Sequence, residues 1–203
     1  MIGSVLVAAF SYRYLLPGDP PLALGIWTGR AMPAFVFWIH VLCGATALLL
    51  GSFQFMTLIR LRRPHLHRLI GKLYCACCLA GGLAAFSLSF DTIGGRAGTL
   101  GFGMLATAWF LTTATAWNAA MAKSFVAHRQ WMIRSFALTF AGTTLRVQLM
   151  IGTALGWTLE AASPWYAFTC WVPNLFIAEW LIWRQVRADR AGDATSSSGS
   201  VSA

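Results

Sequence analysis

The four histidines of this 203-residue chain are the residues best suited to bind a metal or a haem iron. His67 and His128 each precede an arginine at the basic start of a predicted membrane-spanning helix. If these helices face each other, the two imidazoles could ligate one b-type haem near the cytoplasmic interface. The haem propionates would then meet nearby cations, namely Arg68, Lys72, Arg129 and Arg134. The alternative is that these basic turns bind lipid phosphate groups.

Three further ionisable residues fall inside apolar stretches: His40, Arg146 and Glu179. Such residues are candidate functional residues, because a charge is costly in hydrocarbon. At a rise of about 1.5 Å per residue, His40 and Arg146 come out at similar depths near the external surface, and Glu179 near the cytoplasmic one. We predict that His40 and Arg146 share a polar site, which an anion, a quinone carbonyl or Asp91 could complete. The alternative is that Arg146 reaches lipid phosphate and His40 bonds a backbone carbonyl.

The composition indicates the class of protein that contains these residues. Hydrophobic residues make up 58% of the chain and charged residues 10%, whereas about a quarter of the residues in a soluble domain are charged. The chain is therefore predicted to be a membrane protein, which excludes a cytosolic enzyme, a secreted disulfide scaffold and a disordered chain. The five cysteines all lie in apolar runs, where we expect them to pack as small apolar side chains.

Five stretches are long and apolar enough to cross a bilayer, at about residues 34–58, 69–90, 99–121, 131–155 and 164–183. Residues 1–16 are apolar but short, and form either a sixth, tilted span or an interfacial helix. The expected fold is an all-α polytopic transmembrane bundle of six helices, or of five plus the interfacial helix. We predict one domain over 1–190, with a loop at 17–33, and a disordered cytoplasmic tail over 191–203.

Lysine and arginine are concentrated in every second connection between the predicted spans. They follow the stretches that end near 58, 121 and 183, whereas the opposite connections hold only Arg30 and Arg96. The positive-inside rule therefore places the basic connections and the C-terminus in the cytoplasm. Since the net charge of +9 has this role at lipid headgroups, the expected partner is the lipid bilayer and not nucleic acid.

Small and polar residues form stripes on the predicted spans. The stretch 131–155 and its start carry one such stripe, made of His128, Met132, Ser135, Thr139, Gly142 and Arg146. The preceding spans carry similar stripes, which include Gln54, Cys78, Trp109 and Thr113. These faces are expected to point into the bundle. Aligning His67 with His128 superposes two helical hairpins, which favours an internal repeat. Pro173 predicts a kink whose freed carbonyl is satisfied inside the bundle.

The run HRQWMIRSFAL at 128–138, taken with His40, the His67-Arg68 pair and Arg146, resembles a family of bacterial predicted membrane proteins known only as a domain of unknown function. The resemblance covers about residues 36–150. It implies a multi-helix fold in the bacterial inner membrane, without an activity. The histidine-bearing helices are similar in general plan to those of b561-type cytochromes, although the chain lacks four histidines arranged as two transmembrane pairs.

Three classes of function remain open from these residues. The first is a redox module of the inner membrane that binds one b-type haem and exchanges electrons with quinone. The second is a binding or transport protein for a small anion or protons, in which His40, Arg146 and Glu179 line a polar cavity. The third is a non-catalytic subunit whose Trp-rich exterior contacts partner membrane subunits.

Overall fold

The computed structural model describes Tyr12 and residues 33–199, with 192–199 described by their backbone alone. The described part forms eight helices: α1 (Ala34–Gln54), α2 (Thr57–Arg62), α3 (Pro64–Ser89), α4 (Gly95–Met121), α5 (Phe125–Thr139), α6 (Ala141–Ala154), α7 (Leu159–Thr169) and α8 (Val172–Gly199). The predicted all-α fold is confirmed. The predictions for 1–16 and 17–33 fall outside the described residues, apart from Tyr12, whose hydroxyl lies 2.8 Å from Thr46 Oγ1.

The long helices α1 and α3 run antiparallel. Gln54 contacts His67, whereas His40, near the other end of α1, contacts Gly81 near the other end of α3. The same reversal relates α4 to α5, and α5 with α6 to α8. Consequently α3 and α5 are parallel, and α4 packs against both.

Local sequence explains where several helices begin. Pro64 is the first residue of α3, where the absence of its N–H leaves no helical hydrogen bond unmade. A tight turn joins α4 to α5, and in it Lys123 adopts the left-handed conformation with φ of 58°. The short helix α2 was not predicted. Its first two residues are the last two of the predicted span 34–58. Its last turn contains Arg60 and Arg62, which lie beyond that span.

The fourth predicted span, 131–155, is interrupted at Phe140, between α5 and α6. Two threonine side chains bond carbonyls one turn back on either side of the interruption: Thr139 to Ser135 O at 2.9 Å, and Thr144 to Phe140 O at 3.4 Å. Such back-bonding bends helices. The sequence predicted a continuous span because the apolar pattern continues unbroken through this point.

The last predicted span, 164–183, is also divided. Its helix ends at Thr169 and restarts at Val172, so the kink predicted at Pro173 is confirmed. The Asn174 amide lies 3.1 Å from the carbonyl O of Cys170 and 3.0 Å from Thr144 Oγ1, which satisfies polar groups at the break. Helix α8 then continues to Gly199, into the segment 191–203 for which the sequence predicted disorder. The division into a domain and a tail stays a prediction.

The outside of the bundle is apolar and its centre holds hydroxyl groups. Large apolar side chains are exposed on several helices, among them Leu83, Leu100, Met150, Trp165 and Phe176. Ser135, Thr113 and Ser163 are fully buried. Helices α1 and α3 are each long and apolar enough to cross a membrane, yet only 33% of the apolar window of each is buried. A water-soluble bundle would bury its apolar faces, so this arrangement suits a hydrocarbon environment.

Candidate functional site

A network of buried hydroxyl groups joins α3, α4 and α5 at the centre of the bundle. The Tyr74 hydroxyl lies 2.9 Å from Ser135 Oγ and 2.9 Å from Thr139 Oγ1. Ser135 Oγ also lies 2.7 Å from Thr113 Oγ1, and the Trp109 indole N–H donates to Thr139 Oγ1 at 2.9 Å. Tyr74, Thr113 and Ser135 have no exposed surface. We call these five residues the central network.

The hydrogens of the central network are fully used. Thr113 and Thr139 donate their hydroxyl protons to the carbonyls of Trp109 and Ser135. Only the hydroxyl protons of Tyr74 and Ser135 remain for the three contacts between hydroxyl groups. Each hydroxyl therefore already has partners in neighbouring helices, and we assign the central network to packing rather than to ligand binding.

The predicted haem ligands His67 and His128 occupy the basic end, defined as the end of the bundle that carries Arg60, Arg62, Arg63, Arg68, Lys123 and Arg129. The two imidazoles lie within electrostatic range of each other and are both half-buried. They stand at the starts of the parallel helices α3 and α5. The structure therefore places both histidines at the same end of the bundle, and their joint binding of one group stays a prediction.

The two imidazoles have different surroundings. His128 Nδ1 lies 2.8 Å from the carbonyl O of Ala116, so this nitrogen donates and Nε2 of the neutral ring keeps a lone pair. His67 Nδ1 is buried and, among the described residues, has no hydrogen-bond partner. The carbonyl of His67 accepts from Gln54 Nε2 at 3.0 Å, which fixes the backbone there. Each ring thus has a nitrogen that forms no hydrogen bond to the described residues.

This donor set suits a haem iron better than a bare metal ion. The described residues hold no group of three or more His, Cys, Asp or Glu side chains that could surround a metal. A haem iron takes four ligands from the porphyrin and requires only two from the protein. A ligating histidine commonly donates its other ring N–H to a carbonyl, as His128 does to Ala116.

Arg134, which the sequence assigned to the haem propionates, has another partner. Its Nε and Nη2 donate to the two carboxylate oxygens of Glu179 at 2.6 and 2.8 Å. Its guanidinium also lies 4.6 Å from the ring centroid of Trp131. Arg134 therefore forms an ion pair with α8. Arg68 and Arg129 are the exposed arginines that directly follow the two histidines.

The same ion pair corrects the grouping of Glu179 with His40 and Arg146. Glu179 faces Arg134 in the basic half of α5, whereas His40 and Arg146 lie toward the opposite end of the bundle. The sequence already placed Glu179 at a different depth from His40 and Arg146. It did not predict the partner of Glu179, because periodicity does not tell which helices are neighbours.

His40 and Arg146 lie toward the same end of the bundle, where the charge of Arg146 acts on the imidazole. His40 Nδ1 is 3.3 Å from the carbonyl O of Gly81, and Arg146 Nη1 donates to the carbonyl O of Gly142 at 2.9 Å. The alternative in which His40 bonds a backbone carbonyl is therefore observed. A ligand shared by the two side chains stays a prediction.

Sequence reasoning missed the part that Tyr74 takes in the central network. One signal was present: Tyr74 follows His67 by the same seven residues by which Ser135 follows His128. The offset of 61 residues recurs in the Tyr74–Ser135 and Cys78–Thr139 contacts. The structure thus pairs α3 with α5 in the register that the proposed repeat requires.

The comparisons with known proteins place these residues in a family. A family model described as "Predicted membrane protein (DUF2306)" matches residues 37–182, a range that includes His40, both members of the His67–His128 pair, and Arg146. The resemblance noted in the sequence is confirmed. No curated protein and no solved structure matches the chain.

Proposed function

We propose that this chain, which belongs to the family of predicted membrane proteins DUF2306, is a redox module of the inner membrane that binds one b-type haem between His67 and His128. The observation that carries the proposal is the state of the two rings. His128 is oriented by the Ala116 carbonyl with Nε2 left over, and His67 keeps a buried nitrogen without a partner in the described residues. Both rings stand at the same end of parallel helices.

The residues of the chain would hold the group as follows. His67 and His128 would supply one nitrogen each to the iron; the Ala116 carbonyl would keep the His128 ring oriented, and the Gln54 contact would hold the backbone of His67. Arg68 and Arg129 are exposed beside them and would meet the propionates. The bound haem would supply one-electron transfer, for which a membrane quinone is a suitable partner.

We further propose that the chain crosses the inner membrane several times, with the basic end and the C-terminus in the cytoplasm. The excess of arginine at one end of an otherwise apolar bundle supports this orientation. A reporter enzyme fused after residue 190 tests it. Activity of a cytoplasmic reporter is expected, whereas activity of a periplasmic reporter alone would contradict the orientation.

Visible absorption of the purified protein tests haem binding. Protein expressed with ample haem is expected to show a Soret band with about one haem per chain. Replacing His67 or His128 by alanine is expected to remove the band, whereas His65→Ala is the matched control, because His65 is exposed and contacts Arg68. A Soret band absent from the unmodified protein would overturn the proposal.

The second candidate function is the binding of a small anion or the transfer of protons at the opposite end. The charge of Arg146, which acts on the His40 imidazole, favours it. In this case Arg146→Gln would weaken binding of the anion and leave the spectrum unchanged. Unchanged binding of the anion in Arg146→Gln would remove this candidate.

A further inference from the structure

A groove of about 310 Å³ opens on the bundle surface between α3 and α4, and neither of the proposed haem ligands lines it. Its wall is mainly apolar and includes Ala76, Leu79, Ala114 and Trp117. Two polar side chains, those of Lys72 and Asn118, line the same groove. The groove is therefore almost entirely apolar, with a small polar contribution from these two side chains.

The polar and apolar parts of the groove are ordered along the helices. Lys72 lies near the start of α3 and Asn118 near the end of α4, and because these helices are antiparallel both residues lie toward the basic end. Leu79 lies seven residues further along α3, which is about 10 Å deeper at the rise of an α-helix. Polar groups thus stand at the mouth and apolar groups below them.

The charge at the mouth selects the occupant. Lys72 is exposed, and within the described residues no ion pair involves it. Its ammonium group and the amide of Asn118 offer several N–H donors, and Arg68 adds positive charge one turn earlier on α3. Trp117 precedes Asn118 in the sequence. Tryptophan is enriched at the level of the lipid headgroups. A phosphate group over an apolar chain complements this arrangement.

We propose that the groove between α3 and α4 binds an anionic phospholipid, with the phosphate at Lys72 and Asn118 and an acyl chain against Leu79 and Ala114. Phosphatidylglycerol carries its phosphate at the depth of the headgroups and its acyl chains below it, which matches the order of these residues. The proposal depends on membrane insertion and not on haem, so the two are tested separately.

Native mass spectrometry in detergent, with phosphatidylglycerol and phosphatidylcholine of the same acyl chains, tests this site. Phosphatidylglycerol is expected to remain bound preferentially. Lys72→Gln is expected to weaken its binding about fivefold, the effect of one lysine near an anionic headgroup. The matched control is Lys123→Gln, which changes the only other lysine and lies outside the groove.

A second variant tests the apolar part of the groove. Ala76 is exposed, so Ala76→Phe is expected to fill the groove without disturbing the core and to lower the binding of both lipids. A thermal melt confirms that each variant is folded. Equal binding of the two lipids, or Lys72→Gln binding phosphatidylglycerol as the unmodified protein does, would overturn the proposal.

Discussion

Tyr74 and Ser135 form a 2.9 Å hydrogen bond, and each lies seven residues after a histidine that begins its helix. Two turns of helix, about 10 Å, therefore separate this bond from the His67–His128 pair. Because α3 and α5 are parallel, the bond fixes the two helices in a register that holds the two imidazoles at the same depth. The central network thus positions the candidate haem ligands without contacting them.

Tyr74→Phe removes one hydroxyl from the centre of this network. We expect it to lower the free energy of unfolding in micelles by about 0.5–2 kcal/mol, because Ser135 and Thr139 lose a buried partner. Tyr166→Phe is the matched control. The Tyr166 hydroxyl is buried without a partner among the described residues, so its removal is expected to be neutral or stabilising. Equal losses in the two variants would contradict the network's role.

Gly51→Ala tests the packing below the network. A Cβ at this position would lie 2.5 Å from Phe136 Cδ2 and 2.9 Å from Tyr74 Cε2, so both rings would have to move. We expect a loss of about 1–3 kcal/mol, measured by denaturant titration in micelles. At Gly44 a Cβ would meet nothing within 4 Å, and Gly44→Ala is expected to be neutral or stabilising. A neutral Gly51→Ala would show that α1 does not pack as described.

Asn174→Ala tests the break between α7 and α8. The Asn174 amide contacts the carbonyl of Cys170 and the hydroxyl of Thr144, so its loss leaves polar groups unsatisfied at the break. We expect destabilisation of about 1–3 kcal/mol, measured as a lower melting temperature. Asn118→Ala, which changes an exposed asparagine, is expected to leave the melting temperature unchanged. An unchanged melt in both variants would contradict the assignment.

Periodicity predicted which faces of the helices point inward. Thr113, Ser135 and Thr139 were placed on interior stripes and are buried in the structure. The reason is that small polar side chains on an apolar helix pack and form hydrogen bonds at the contacts between helices. The lengths of the apolar runs placed the helices α1, α3 and α4 to within about five residues.

Partner choice between helices was not predictable in this way. The Arg134–Glu179 pair depends on α5 packing against α8, which no residue pattern on either helix states. The role of Tyr74 was not predictable either. A tyrosine in an apolar run fits both a buried core position and a membrane-interface position, and its neighbours decide between them. The interruption at Phe140 depends on side chains bonding carbonyls one turn back, an effect that hydropathy does not register.

The electron paramagnetic resonance spectrum of the oxidised, haem-loaded protein tests the central claim most directly, because it reports the ligands of the iron. We predict a low-spin ferric signal of two imidazoles that is lost in His67→Ala and in His128→Ala and retained in His65→Ala and His40→Ala. A low-spin signal that survives the loss of either His67 or His128 would contradict the account.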